Sequence, residues 1–297
     1  MSANSYNSPG SFKAALEDRL RRNFDGGIDV QRRRQLVVFT RLLARLNLAF
    51  GDAIVLKGGF ALEVRLALAR TTRDLDLMLL GPDAQLLERL QAAGQLDLED
   101  FMTFEIQADK DAPEIDSAVY GGRRYRAECK LAGKVYGARF GLDVVLGGSM
   151  LGEPSPIETE AFLDFAGIAA PVARVLPVET HLAEKLHAYT LPRSVENSRI
   201  RDLPDMALIG TVKDTLQSQR FRDALRLTFE SRGTHNAPTA LPPPPASWTT
   251  GYARLAEAQS LPWRSIEQVT EAARAFVDPL LSNANLITWD AAHWIWR

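Results

Sequence analysis

Apolar residues recur along this chain with two different periods. Over residues 12–24 and 29–50 they return every three or four positions, which predicts two amphipathic helices. Short apolar runs at 53–56 and 75–80 predict buried strands, and the spacing over 60–69 predicts a helix between them. The N-terminal part should therefore bring two strands together around a short helix.

The middle of the chain has the alternating pattern of a sheet. Ala132-Gly133 separates two alternating runs and predicts a hairpin. Asp83 follows Gly81-Pro82 and is predicted to cap a helix that runs to about residue 93. The strands predicted in this part are 101–108, 123–131, 134–146 and 172–178.

From residue 179 onward the period becomes helical. A Pro-rich segment at 234–248 interrupts the helices and predicts a linker or a surface strap. The helices predicted here are 179–191, 200–209, 214–231 and 266–281. The order predicts an α/β fold with a mixed sheet, in two domains: 1–178 with N-terminal helices, and a helical domain over 179–297.

Composition excludes several classes of protein. The 297 residues carry a net charge of -2, so no overall basic excess points to nucleic acid. A single cysteine, Cys129, excludes an intramolecular disulfide and a zinc cluster. The first ten residues lack the apolar core of a signal peptide, and no apolar run is long enough to span a bilayer. We expect a cytoplasmic protein without a membrane segment.

Candidate chemistry begins where the first strand ends. Lys57-Gly58-Gly59 closes that strand, and paired glycines let a backbone approach a phosphate closely. Asp74 and Asp76 are separated by one apolar residue at the second predicted strand. Because strand side chains alternate, the two carboxylates should share one face, where they can hold a divalent cation.

A third acid, Asp143, interrupts the apolar pattern of the predicted strand 134–146. Three carboxylates around one or two hard cations form a magnesium site for phosphoryl or nucleotidyl transfer. The alternative is that Asp74 caps a turn or pairs with Arg73, and that Asp143 ends an edge strand. We favour the metal site because a carboxylate inside an apolar run needs a cation partner.

These motifs resemble the DNA polymerase β-type nucleotidyltransferase superfamily and, within it, the AbiEii-type toxins of type IV toxin–antitoxin and abortive-infection systems. That family has K-G-G-x-x-L followed by R-x-T-x-D-h-D, where h is apolar. Here the first motif lies at 57–62 and the second at 70–76. A later block resembles the family's A-E-K-L-x-A helix and its R-x-K-D-h-x-D motif. Its matching residues are Glu184, Lys185, Arg199, Asp202 and Asp205.

The resemblance implies a role for each matching residue. Asp74 and Asp76 would bind metal with Asp143, and Lys185 would contact the triphosphate. Asp202 would hold Lys185, and Asp205 can substitute for it in this assignment. Alternatively, Lys185 is a solvent-facing helix residue and Asp202 caps a helix. The predicted catalytic set is Asp74, Asp76, Lys185 and Asp202, and the predicted nucleotide-binding set is Lys57, Gly58, Gly59, Arg70, Thr72 and Lys185.

The resemblance also implies the reaction. A nucleotidyltransferase toxin would use two Mg²⁺ ions to move an NMP from an NTP to an acceptor hydroxyl, such as a tRNA 3′ end. A cognate antitoxin would neutralise it. The alternatives are transfer to a protein or a small molecule, or a non-catalytic binding module that keeps the fold. Phe60 departs from the pattern, since many nucleotidyltransferases carry Ser or Thr after the glycines.

A basic and aromatic stretch gives one further alternative. Arg123, Arg124, Tyr125 and Arg126 follow one another on a predicted strand. They can bind RNA through charge and base stacking, or they can form the exposed face of a hairpin. We favour the hairpin face.

Overall fold

The computed structural model describes residues 6–22, 29–66, 71–115, 121–212, 215–282 and 287–297. The chain forms two compact units. The first comprises Met1–Lys57, Arg73–Gly148 and Ser155–Val175. The second comprises Gly58–Thr72, Ser149–Pro154 and Leu176–Arg297. The contiguous domains expected from the sequence, 1–178 and 179–297, stay a prediction.

A seven-stranded mixed sheet lies in the first unit. Its strands are β1 (Ile54–Lys57), β2 (Leu75–Leu79), β3 (Met102–Ala108), β4 (Gly122–Leu131), β5 (Lys134–Leu146), β6 (Ser155–Glu158) and β7 (Val172–Val175). The strand order is β3-β4-β5-β2-β1-β7-β6. β2 runs parallel to β5, and β1 parallel to β7, whereas the other neighbours are antiparallel. The predicted α/β fold with a mixed sheet is confirmed.

Nine α-helices occur within the described residues. They are α1 (Pro9–Arg22), α2 (Val30–Phe50), α3 (Gly58–Arg65), α4 (Leu86–Gly94), α5 (Val178–Thr190), α6 (Asp202–Ile209), α7 (Ser218–Arg232), α8 (Trp248–Ala258) and α9 (Ile266–Leu281). Helices α1, α2 and α4 belong to the first unit, and the others to the second. None of the described helices is both long and apolar enough to cross a membrane.

The first unit is held together by α2 on the sheet. Phe39 of α2 meets Phe140 of β5 edge to face, with ring centroids 5.0 Å apart. Asp100 is fully buried and accepts hydrogen bonds from Arg41 and Arg45 at 2.7–2.9 Å. Removing Asp100 would leave two buried guanidinium groups without their shared carboxylate, which is strongly unfavourable.

The β4–β5 hairpin forms as predicted. Ala132 and Gly133 connect the strands with φ of 54° and 71°. Two positive φ angles in a two-residue loop match the right-handed twist of the flanking strands. This turn aligns β4 with β5 over most of its length, with one irregularity between Ala127 and Cys129.

The second unit is a helical bundle with a small C-terminal hairpin, β8 (Trp289–Asp290) and β9 (Ile295–Trp296). Trp289 and Trp296 are buried against Phe276 of α9, with ring centroids 4.8 and 5.6 Å away. These tryptophans are core residues, as expected from their apolar bulk.

The local predictions were incomplete, and one of them was wrong. The strand β6, the helix α8 and the hairpin of β8 and β9 were not predicted. Asp83 does not occupy the N-cap of α4, because that position belongs to Gln85. Instead, Asp83 accepts a hydrogen bond from the Gln85 N–H at 3.0 Å and pairs with Arg89.

Candidate functional site

A row of charged residues crosses four neighbouring strands of the sheet. Arg124 of β4 is paired with Asp143 of β5, Asp143 with Asp76 of β2, and Asp76 with Lys57 of β1. Partners in register on neighbouring strands point to the same face. The sheet therefore brings Asp76 and Asp143 side by side, between two basic residues.

Arg124 binds Asp143 through two parallel hydrogen bonds. Nε donates to Oδ1 and Nη2 donates to Oδ2, both at 2.9 Å. The Asp143 hydrogen bond is the main cause that raises the pKa of Arg124, although burial acts in the opposite direction. β5 lies between β4 and β2, so the alternative in which Asp143 ends an edge strand is wrong.

Asp74 lies just outside the strand rather than within it. β2 begins at Leu75, and Asp74 is exposed. Its Oδ1 accepts a hydrogen bond from the Gly141 N–H at 3.2 Å. A Cβ atom at position 141 would lie 2.8 Å from that oxygen, so the glycine provides the space that the carboxylate occupies.

Asp74, Asp76 and Asp143 carry the type of ligand that Mg²⁺ prefers, but their side chains are not arranged around one common point. Among the described residues, no group of three or more His, Cys, Asp or Glu side chains is arranged to hold a metal ion. Asp76 and Asp143 are in register on adjacent strands and carry the oxygen ligands that Mg²⁺ prefers. Both oxygens of Asp143, however, accept hydrogen bonds from Arg124.

A second charged cluster lies in the second unit, between α5 and α6. Lys185 Nζ is 2.9 Å from Asp202 Oδ1 and 2.8 Å from Asp205 Oδ2. The Lys185 side chain is 13% exposed, and those of Asp202 and Asp205 are 5% and 0% exposed. The interpretation of Lys185 as a solvent-facing residue is therefore wrong, and both acids hold it rather than one.

The glycine motif lies at the start of α3. Gly58 is the first residue of the helix and has a φ of 64°, a conformation that favours glycine. Phe60 is 1% exposed, so its side chain belongs to the core and does not replace a phosphate-binding hydroxyl. Thr72 is buried, and Arg70 lies outside the described residues.

Sequence reasoning gave no role to His181 on α5. It is 1% exposed, and among the described residues neither ring nitrogen has a hydrogen-bond partner. Burial, with a smaller contribution from the positive charge of Lys185, lowers its pKa to about 3. Its position four residues before Lys185 was the available signal, because this spacing places both on one helix face.

The basic stretch on β4 is bound to acids. Arg123 pairs with Glu114 at 2.7 Å, and Arg126 pairs with Asp109 at 2.8 Å. Tyr125 is 4% exposed and cannot stack on a nucleobase. These contacts support the exposed hairpin face and leave Arg124 as the arginine of this stretch whose acid partner, Asp143, belongs to the candidate site.

The mixed sheet aligns Asp76 with Asp143, and the glycine motif directly follows β1, as the resemblance to nucleotidyltransferases implies. Residues 41–293 match the family described as nucleotidyl transferase AbiEii toxin, type IV TA system. The chain belongs to this family, and it is a nucleotidyltransferase of the toxin class. The resemblance seen in the sequence is confirmed.

Comparison of structures agrees at the level of the fold. The chain is similar to MenT4, a nucleotidyltransferase toxin of Mycobacterium tuberculosis H37Rv, with a TM-score of 0.54 and 17% identity. That match covers 95% of this chain and 92% of MenT4. JHP933 from Helicobacter pylori matches with a TM-score of 0.46 and 17% identity, over 86% of this chain and 95% of that protein. No curated protein matches the sequence.

Proposed function

We propose that this protein transfers a nucleoside monophosphate from an NTP to a hydroxyl group on RNA, with release of pyrophosphate. The observation that carries the proposal is the register of Asp76 with Asp143, next to Lys57. Family membership supports the reaction class, and the sheet supplies adjacent carboxylates on one face.

Asp74, Asp76 and Asp143 are the residues that would hold Mg²⁺. When bound, the metal would offset the charge that develops on the transferred phosphoryl group. Gly141 leaves room for Asp74 and donates its N–H to the carboxylate, which fixes where this ligand points.

The nucleotide would be bound by basic and backbone groups. The predicted residues are Lys57, Gly58, Gly59, Arg70, Thr72 and Lys185. An ammonium group is a compact charge suited to a triphosphate, and Asp202 and Asp205 fix the Lys185 ammonium in place. Assignment of Lys185 and Asp202 to the same reaction as the strand acids rests on family membership.

The acceptor in this proposal is a tRNA 3′ end, and an antitoxin encoded with the toxin would neutralise it. The type IV TA description of the family supports an antitoxin partner. The toxin would act in the cytoplasm, where both NTP and tRNA are present.

Transfer of label from each of the four α-labelled NTPs tests the proposal. Purified protein is incubated with Mg²⁺ and with total tRNA, total protein or neither, and a parallel set contains EDTA. We expect label on tRNA from one preferred NTP, and none with EDTA. Label on protein alone would exclude the RNA acceptor, and no label on either from folded protein would contradict the proposed transfer.

A further inference from the structure

Arg124 is the one arginine of the β4 basic stretch whose carboxylate partner belongs to the candidate site. It lies in register with Asp143, and its guanidinium group engages both carboxylate oxygens. Its side chain is 39% exposed, so solvent reaches it. A planar guanidinium that matches a carboxylate in this way makes a strong, directional ion pair.

The surroundings explain why a cation is needed there. Asp76 lies next to Asp143 in register, and Asp74 lies against Gly141 on the same strand as Asp143. Like charges this close repel one another. The charges of Asp143, Asp109 and Asp74 all favour the protonated form of Arg124 and contribute to its raised pKa.

We propose that Arg124 is a counter-cation built into the site. It binds Asp143 while no metal is present, and it competes with the divalent cation for that carboxylate. This inference rests on the proposed function, because it assumes that Asp143 is a metal ligand.

Arg126 provides a matched control on the same strand. It lies two residues further along β4, in register with Gly141, and therefore on the same face as Arg124. Its partner is Asp109, which is not a predicted ligand. Loss of Arg126 removes the same charge and an arginine–aspartate ion pair, made through one hydrogen bond, without exposing Asp143.

Binding of Mn²⁺ to metal-free protein, followed by the electron paramagnetic resonance signal of unbound Mn²⁺, tests the inference. We expect Arg124→Gln to bind Mn²⁺ about tenfold more tightly than the wild type, because the competing cation is gone. Arg126→Gln should stay within about twofold of the wild type. Arg124→Lys keeps the charge but cannot make the two parallel hydrogen bonds to Asp143. Its Mn²⁺ affinity should lie between those of the wild type and Arg124→Gln.

Thermal unfolding gives a second readout that does not depend on activity. Metal-free Arg124→Gln should unfold at a lower temperature than the wild type. Addition of Mn²⁺ should raise the Tm of the variant by more than it raises the Tm of the wild type. Mn²⁺ affinity that is unchanged or weaker in folded Arg124→Gln would overturn the inference.

Label transfer by the wild type separates the two proposals. If the wild type transfers label but Arg124→Gln binds Mn²⁺ no more tightly than the wild type, the role inferred for Arg124 is wrong and the proposed function stands. If Asp76→Asn and Asp143→Asn both leave Mn²⁺ binding unchanged, these residues are not metal ligands, and the role inferred for Arg124 is wrong as well.

Discussion

The molecule contains two clusters in which basic side chains meet two aspartates, and they differ in burial. On the sheet, Arg124 and Asp143 are 39% and 19% exposed. In the helical unit, Lys185 lies between Asp202 and Asp205, which are 5% and 0% exposed. The sheet cluster is open to ions from solution, whereas in the helix cluster both acids are buried and only the Lys185 side chain, 13% exposed, reaches the surface.

Burial decides what each cluster can do. Ion pairs near solvent contribute less to stability than buried ones, so they can be broken at a smaller cost. Buried pairs are costly to break, because the remaining charge has no water to stabilise it. The sheet cluster is thus suited to taking up a metal, and the helix cluster to holding one ammonium in a fixed position.

The largest effect is expected from Lys185→Met. The substitution leaves Asp202 and Asp205 buried without their shared cation, and we expect it to lower the free energy of unfolding by about 3–5 kcal/mol. Urea denaturation measures this. Lys130→Met is the control, because Lys130 pairs with Glu105 at an exposed position and its loss should change stability little. Equal destabilisation by the two substitutions would contradict the contrast between the clusters.

Acid should act on the enclosed cluster through His181. Its pKa is about 3 in the folded state and near 6.5 when unfolded, so the unfolded chain binds the extra proton. The stabilisation is complete above about pH 6.5 and is lost as the pH falls towards 3. The slope from this group is about 1.4 kcal/mol per pH unit.

Denaturation of the wild type and of His181→Met between pH 7 and pH 4 isolates this contribution. The variant should lose less stability than the wild type over that range, since it has no imidazole to protonate. Parallel curves would show that His181 is not held neutral in the folded protein.

On the sheet, Gly141→Ala should disturb Asp74. The new Cβ would lie 2.8 Å from Asp74 Oδ1, so the carboxylate must move. We expect the rate of nucleotidyl transfer to fall about tenfold, because small displacements of a catalytic group are costly. Gly10→Ala is the control, since no atom lies within 4 Å of its added Cβ. A variant with wild-type activity would show that the position of Asp74 is unimportant.

The smallest effect is expected for RNA binding by the basic stretch on β4. Arg123 and Arg126 are already paired with acids, so their replacement by Gln should leave tRNA affinity and its salt dependence almost unchanged. Filter binding at several salt concentrations checks this. A clear loss of affinity and a smaller salt slope would instead place RNA on this hairpin.

Local signals in the sequence were enough to predict the secondary-structure elements that have a clear periodicity or a characteristic turn. The periodicity of α9 predicted residues 266–281, the bounds that the structure has, and Ser265 with Gln268 forms a capping box at its start. The hairpin followed from Ala132-Gly133. β6 contains Pro156 and is only partly buried, so its pattern was too weak to detect.

The sequence predicted which residues belong to the site, but not the contacts that their side chains make. The D-x-D spacing identified Asp74 and Asp76 as candidates, yet it could not show that the Gly141 N–H binds Asp74 or that Arg124 pairs with Asp143. Arg124 reaches Asp143 across 19 residues through strand register. Such a pairing depends on how β4 aligns with β5, which no local pattern specifies.

The rate of NTP-dependent label transfer by Asp76→Asn, compared with the wild type, shows whether the strand carboxylates are the centre of the reaction. Asn keeps the size of the side chain but removes the charge that a divalent cation requires. We expect the rate to fall at least about 100-fold, while the Tm of the metal-free protein stays close to that of the wild type. Transfer within about threefold of the wild-type rate would show that the strand carboxylates are not the centre of the reaction.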